Sequence, residues 1–282
     1  MSNANLTEVA TSASGANIPS LGFGTYGMTG DGLRRVLGAA FEAGIRHVDT
    51  GQLYGNESEV GDAVAAAGHL RGEIFVTTKI SPHSSAPSQF VAAVEESLAK
   101  LRVDVIDLLL IHWPRGGAPI ESQMRSLGEC VRRGLVRYGG VSNFNRALLA
   151  RAIGASEVPL VTNQIEIHPF LDARRIVAAT RASGLTVTAY CPLAIGRVLH
   201  DEDLRSIAEK HRRSIPQVVL RWVIERDGFV ALTRTARPER LRENVAVFDF
   251  RLDEDDTRRI DALIRPGSRI VNPPGLAPAW DD

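Results

Sequence analysis

Four side chains of different chemistry stand where short apolar runs give way to polar sequence: Asp49 and Tyr54 in HVDTGQLYGNE, Lys79 in TTKI and His112 in LLLIHWP. A free phenol has a pKa of about 10 and is a poor proton donor near neutrality. A nearby ammonium stabilises the phenolate and lowers that pKa. A carboxylate offsets the cost of burying the ammonium, and an imidazole can donate a hydrogen bond that orients a carbonyl oxygen. Brought together, such a set protonates an alkoxide as it forms, which is what carbonyl reduction by a hydride donor needs. Each member alone has an ordinary alternative: Asp49 as a cap or turn residue, Tyr54 as a loop aromatic, His112 as a hydrogen-bonded core histidine. Lys79 is less easily set aside. An apolar run is a costly place for an ammonium, and the chain has three lysines, Lys79, Lys100 and Lys210, against 30 arginines. A lysine there suggests a position where the bulkier guanidinium, which cannot usefully change its protonation state, does not serve.

These groups converge only if the runs that carry them are neighbours. Eight short apolar, β-branched runs recur, at 21–24, 47–50, 74–80, 105–112, 136–141, 160–165, 185–190 and 229–233. Most begin roughly 24–32 residues apart, the size of one βα unit. Between them Leu33, Val36, Leu37, Ala40 and Phe41, and again Val91, Val94, Leu98 and Leu101, keep a helical period, the first beginning near Leu33. Asp172 reads as an N-cap and Pro216 as an N1 proline. The longer gap before the eighth run holds two helical stretches, near 203–211 and 215–226.

Runs apolar on both faces, each followed by a helix, predict a parallel sheet covered by helices. Eight such units predict an α/β fold, a closed (β/α)8 TIM barrel. The polar opening residues, with Gly15 as a turn, are expected to form an N-terminal β-hairpin closing the barrel floor. Residues 1–282 read as a single domain, with an irregular surface tail from about 266. In such a barrel the C-terminal strand ends carry the catalytic groups, and Asp49 with Tyr54, Lys79 and His112 fall at the ends of the second, third and fourth runs.

Composition narrows the remaining roles. With 44% hydrophobic and 23% charged residues the chain is neither collagen-like, low-complexity nor mainly disordered. Lys plus Arg equals Asp plus Glu, 33 each, and no basic stripe is visible, which argues against nucleic acid and anionic membranes as partners. A polar start and the lack of a long apolar run predict neither a secretory signal nor a membrane span. Two cysteines, Cys130 and Cys191, are too few for a disulfide framework, so a cytoplasmic location is expected. No metal-ligand spacing appears, and no metal is expected. GFGTYG at 22–27 matches G-x-G-x-x-G, with Asp49 some twenty residues on. A Rossmann dehydrogenase, however, places the third glycine in the first turn of a helix that holds the pyrophosphate, and here MTGDG follows Gly27 instead. Y-x-x-x-K is also absent after every tyrosine.

With LGFGTY, HVDTGQLYGNE, TTKI, LLLIHWP, GVSNF, NQIEIHP, AYCPL and RPERLREN in this order, the chain from about Ile18 to Trp280 resembles the aldo-keto reductases. The resemblance implies NADPH bound extended across the barrel top without a Rossmann domain. It implies Tyr54 as general acid, Lys79 and Asp49 as its tuning pair and His112 as the carbonyl orienter. It implies further that Ser142, Asn143 and Gln164 hold the nicotinamide carboxamide, that Tyr190 stacks on the ring and that Leu193 lies near the pyrophosphate. Where the family commonly reads I-P-K-S, then Arg, then E-N, this chain has Leu232-Thr233-Arg234-Thr235, then Arg240, then Glu243 and Asn244. Arg234 would replace the lysine that meets the adenosine 2′-phosphate, adding a bidentate fork, and Thr235 keeps a hydroxyl.

Short loops after His112 and Tyr190 predict an open mouth; Tyr26, Leu53, Trp113, Phe144 and Trp280 are candidates to line it, with packing as the equal alternative for each. The pattern looks most like the compact bacterial branch that includes 2,5-diketogluconate and methylglyoxal-type reductases. A small carbonyl compound (aldehyde, dicarbonyl or keto sugar) is the expected substrate, and a monomer the expected state. A cofactor-binding regulatory subunit of the same fold is the competing role.

Overall fold

The computed structural model describes residues 8–281. Its first two strands, β1 (Val9–Thr11) and β2 (Asn17–Pro19), form an antiparallel hairpin with Ala10 opposite Ile18, and Gly15 turns between them at φ +84°. The eight apolar runs are the eight barrel strands: β3 (Leu21–Gly24), β4 (His47–Asp49), β5 (Phe75–Ile80), β6 (Ile106–Ile111), β7 (Val136–Ser142), β8 (Leu160–Glu166), β9 (Thr186–Tyr190) and β10 (Phe229–Thr233). They pair in parallel in sequence order, and β10 closes the ring on β3 with Leu232 beside Gly22. Helices α1 (Gly30–Glu42), α2 (Glu57–Ala66), α3 (Pro87–Leu101), α4 (Ile120–Arg132), α5 (Arg146–Ala155) and α6 (Arg174–Ala182) each follow one strand. Two helices, α7 (Glu202–His211) and α8 (Ile215–Ile224), fill the longer gap before β10, and α9 (Glu239–Val245) and α10 (Glu254–Asp261) come after it.

Successive strand residues face opposite sides, so each strand feeds two packing layers. Outward residues such as Val48, Val76, Leu109, Ile111 and Ile165 meet Leu33, Leu37, Val94 and Leu127 of the helices. Inward residues Phe75, Leu108, Leu110, Val230 and Leu232 pack with Ala10, Ala16 and Ile18, so the hairpin closes the barrel floor. A fully buried side chain of this size contributes about 1.5–3 kcal/mol. The same alternation places the chemistry. Phe75, Thr77 and Lys79 share a face, as do His47 and Asp49, Leu108, Leu110 and His112, and Thr162 and Gln164. Asp49, Lys79 and Gln164 are thus late inward positions of their strands, and His112 follows directly on β6 with the same alternation.

Three local expectations shift. Helix α1 starts at Gly30, not near Leu33, because Glu59 of α2 accepts the Gly30 N–H at 3.1 Å and completes a first turn that contains two glycines. Gly27 still lies outside the helix. The cap of α6 is Ala173, and Asp172 stands one residue outside it, accepting the Arg174 N–H at 3.2 Å. Pro216 is the second residue of α8, because Ser214 caps that helix in a reciprocal box with Gln217.

Candidate active site

Lys79 is fully buried on β5. An ammonium has three hydrogens, and this one has three partners: the Asp49 carboxylate, the Thr50 carbonyl at 2.7 Å and Tyr54 Oη at 3.2 Å. Burial works against the charge, but Asp49 and Tyr54 outweigh it and the Lys79 pKa stands above its ordinary value. The phenol oxygen therefore accepts from a permanent cation, and its own hydrogen is left to donate. No described residue takes that hydrogen. The Tyr54 pKa is raised, by burial first, with Lys79 pulling it down. This corrects the expectation of a phenol lowered overall. The ammonium acts in the expected direction, burial is the larger effect, and the phenol is held in its donor form.

A short 3₁₀ turn, Gln52–Tyr54, carries the phenol and ends at Gly55 with φ +66°, a conformation glycine adopts without strain. The turn is braced on both sides. Gln52 accepts the Ser81 N–H at 2.8 Å and donates to Ala93 O and Ser97 Oγ, both at 3.0 Å. Asn56 donates to Thr25 O and Met28 O and accepts from Thr50 Oγ1 at 2.6 Å. Glu57, buried at the start of α2, accepts from Thr78 Oγ1 at 2.6 Å, next to Lys79. Burial raises its pKa. These three braces went unselected in the sequence because amides and carboxylates beside a loop are ordinarily solvated. Only their burial sets them apart.

His112 follows β6 and meets the Tyr54 ring edge-on, centroids 5.5 Å apart. Burial, and then the nearby Lys79 charge, push its pKa well below the usual imidazole range. The ring is therefore neutral and carries one hydrogen. Nδ1 is enclosed without a partner. A buried N–H left unpaired costs about 1–3 kcal/mol, so the hydrogen belongs on Nε2, where it can donate toward the mouth.

Ser142, Asn143, Gln164 and Tyr190 come together on adjacent strand ends. Ser142 Oγ donates to Gln164 O at 2.9 Å, Asn143 Nδ2 donates to His112 O at 3.0 Å and Ser142 Oγ at 3.1 Å, and Tyr190 Oη donates to Asn143 Oδ1 at 2.6 Å. Burial pushes the Tyr190 phenol well up, with Glu166 adding to it. Among the described residues, the non-glycine positions with positive φ are Arg102 and Arg212 at helix ends and Asn143, Cys191, Ala194 and Ile195 here. Such strain gathers where surrounding structure over-determines a site. Leu193 caps the turn Ala194–His200 within the same loop.

The mouth residues divide. Tyr26 is 68% exposed and Leu53 42%, and the Tyr26 ring sits edge-on to Tyr54 at 5.1 Å. Trp113 is nearly buried, stacked beside His112. Phe144 is fully buried in the strand–helix layer, in keeping with the packing alternative. Trp280 stacks on the Arg269 guanidinium at 3.7 Å and donates to Asn272.

The tail is more than a surface segment. Buried Glu166, at the end of β8, accepts the Ile270 and Val271 N–H groups at 2.7 and 2.8 Å and lies 3.1 Å from His168 Nε2. Farther on, Asn145 donates to Ala279 O and the Arg146 N–H to Asp281. The chain thus straps the loops after β7 and β8. Glu166 was also missed, because it stands one residue past the apolar run 160–165, where a polar side chain is ordinary. At the other barrel end a groove of about 370 Å³ lies beside the hairpin turn, lined by Ala13, Ser14 and the segments entering β8 and β9, with no acid–base set. Among the described residues no three His, Cys, Asp or Glu side chains are grouped to hold a metal, and no helix is long and apolar enough to cross a membrane.

Residues 20–265 match the family model described as "Aldo/keto reductase family". The chain belongs to the aldo/keto reductase family. It is 40% identical over 267 residues to a methylglyoxal reductase DkgB of Salmonella typhi, covering 94% of this chain and 99% of that one. It is 34% identical to a glyoxal reductase of Bacillus subtilis strain 168, covering 93% and 95%. A crystal structure assigned provisionally as a 2,5-diketo-D-gluconic acid reductase B superposes with a TM-score of 0.96 at 43% identity, over 99% of each chain. A Gox0644 variant in complex with NADPH superposes at 0.88 and 35% identity, over 94% and 97%.

In this aldo/keto reductase the unusual β10 block has visible partners. Thr233, where the family commonly has proline, accepts from Asn244 Nδ2 at 3.1 Å and ties β10 to α9. Arg234 donates to Tyr26 O at 2.6 Å, bridging to the loop after β3. Thr235 Oγ1 accepts the Arg237 N–H at 3.0 Å. Arg240 is exposed and Glu243 half-buried on α9. The residues fit a nicotinamide: Gln164 Oε1 has no hydrogen-bond partner among the described residues, so an acceptor remains for a carboxamide N–H₂ beside the Tyr190 ring.

Proposed function

We propose that this oxidoreductase reduces small aldehydes and dicarbonyls to alcohols with NADPH, and that Tyr54 is its proton donor. The reading rests on the Lys79 ammonium, buried and bonded at once to Asp49, Thr50 O and Tyr54 Oη. NADPH, when bound, supplies the hydride that the carbonyl carbon gains. His112 Nε2 orients the carbonyl oxygen. Tyr54 gives that oxygen its phenolic hydrogen, so the C=O π bond is replaced by one C–H and one O–H bond. Lys79 stabilises the phenolate left behind, and Asp49 keeps the ammonium in place.

Ser142, Asn143 and Gln164 would hold the carboxamide, and Tyr190 the ring face. Arg234 and Arg240 are exposed cations on the β10 side, with Thr235 between them in sequence, and favour a phosphate through charge-assisted bonds worth about 1.5–3 kcal/mol each before desolvation. Small dicarbonyls are favoured because the matched relatives are named for them and the exposed mouth residues Tyr26 and Leu53 form no deep wall. The free cysteines, Cys130 and Cys191, suit a reducing cytoplasm.

Fluorescence titration should show NADPH binding at least tenfold tighter than NADH, a preference lost in Arg234→Ala. Cofactor oxidation with methylglyoxal, glyoxal and keto-sugar acids should be fastest with the dicarbonyls. Binding of NADPH without turnover of any carbonyl would favour a regulatory subunit instead.

A further inference from the structure

The acid group is connected across the barrel. Asp49 on β4 has two carboxylate oxygens: Oδ1 takes the Lys79 ammonium, and Oδ2 accepts from Gln164 Nε2 at 2.7 Å. β4 and β8 stand diametrically opposite in the ring of eight strands, so this bond spans the barrel axis between residues 115 positions apart. Both side chains are buried. Because an ionised carboxylate can only accept, the amide nitrogen must face Asp49. Gln164 Oε1 must then face away, and it has no partner among the described residues. The Gln164 backbone cannot readily swing, since its carbonyl accepts from both Ser142 Oγ and the Asn143 N–H, each at 2.9 Å.

We propose that Gln164 is a positioning residue that couples occupancy of the carboxamide site to the Asp49–Lys79–Tyr54 acid. This rests on the reading of the site given above. An amide whose oxygen accepts a hydrogen bond becomes a stronger donor through its nitrogen, because bonds in a chain polarise one another. A carboxamide N–H₂ on Oε1 therefore strengthens the Nε2–H bond to Asp49 and withdraws negative charge from beside Tyr54. The phenol becomes a better acid when the hydride donor is in place. Asp49 does raise the Tyr54 pKa and Lys79 lowers it, so partial neutralisation of Asp49 favours proton release. The other titratable groups around the pair are His47 on β4, His112 after β6, Tyr26 after β3, and Tyr190 on β9 near Glu166. His47 and His112 are held neutral, which leaves Asp49 and Lys79 as the charges that set the phenol.

The test uses kcat measured at saturating NADPH, together with its pH profile. Gln164→Leu should lower kcat at least tenfold and move the alkaline limb of the profile to higher pH, because Asp49 then acts on the phenol without its donor. Gln164→Glu keeps the shape and gives a switch: protonated, it still donates to Asp49, whereas ionised it opposes it. Its kcat should approach the parent at pH 5 and fall with a new limb as pH rises, a signature that a purely structural role does not produce. If both variants weaken NADPH binding but keep kcat within twofold and the profile unmoved, Gln164 serves the cofactor alone and the coupling is overturned. A parent protein that binds NADPH but turns over no carbonyl would overturn the underlying reading as well, so the two failures are distinguishable.

Discussion

In the proposed reading Tyr54 and Lys79 act as one acid, because the ammonium spends its three hydrogens on Asp49, Thr50 and the phenol oxygen. Tyr54→Phe keeps the ring and removes the transferable hydrogen. Turnover should fall by ~10²–10⁴, with NADPH affinity changed only a few fold. Lys79→Met should show a similar loss, and Lys79→Arg should also fail, since a guanidinium fork does not match three partners arranged around a compact ammonium. In the double variant the losses should not add. Steady-state rates and NADPH titration on the four proteins check this, and near-normal turnover in Tyr54→Phe would remove the phenol from the chemistry. At this scale the sequence was informative because a lysine in an apolar run has few ordinary explanations. The same signal is not decisive by itself. Asp107 also interrupts such a run, yet it accepts the Val76 N–H at 2.9 Å and pairs with Arg137 at 2.7 Å, which makes it a strand tie remote from the mouth.

Among the elements, strands were legible and the tail was not. Eight β-branched runs at βα spacing leave little freedom once both faces are apolar, and the helix ends erred by one to three residues where a side chain from elsewhere completed a turn, as Glu59 does for α1. The tail is Pro- and Gly-rich and has no periodicity to read. Its place is set by contacts distant in sequence, and residues 270–271 are held by a buried carboxylate about a hundred positions earlier, with Glu166 receiving Ile270 and Val271. Two such charge-assisted bonds are worth about 1.5–3 kcal/mol each. Glu166→Ala should therefore free this segment locally. Amide exchange at Ile270 and Val271 should rise at least tenfold and the substrate KM should increase, while exchange in the barrel strands stays unchanged. Hydrogen exchange read by mass spectrometry decides it, and unaltered protection of the two amides would show that other contacts hold the strap.

For the molecule as a whole, the barrel axis is where sequence reading stops, because contacts such as Gln164 with Asp49 join opposite strands and leave no local pattern. The axis also stores a pH dependence. His47 lies near the barrel floor, buried, with Nε2 2.9 Å from Thr77 Oγ1, and burial lowers its pKa to about 4. Unfolded, it titrates near ~6.5. Between these values the unfolded chain binds more protons, so stability must fall as pH falls. The His47 contribution is complete above about 6.5 and is lost as pH drops toward the folded value. The interval of about 2.5 units corresponds to roughly 3 kcal/mol, and His112, shifted the same way, adds to it. Carboxylates also titrate in this range, so the difference between two proteins is the informative quantity. His47→Gln keeps a hydrogen-bonding group near Thr77 and cannot gain a charge. Its apparent thermal midpoint should decline less than the parent's between pH 7 and pH 4.5, by ~5 °C if roughly 2 kcal/mol is recovered. Parallel declines in the two proteins would mean that the floor histidine is hydrated or already charged in the fold, and that the acid lability of the barrel arises elsewhere.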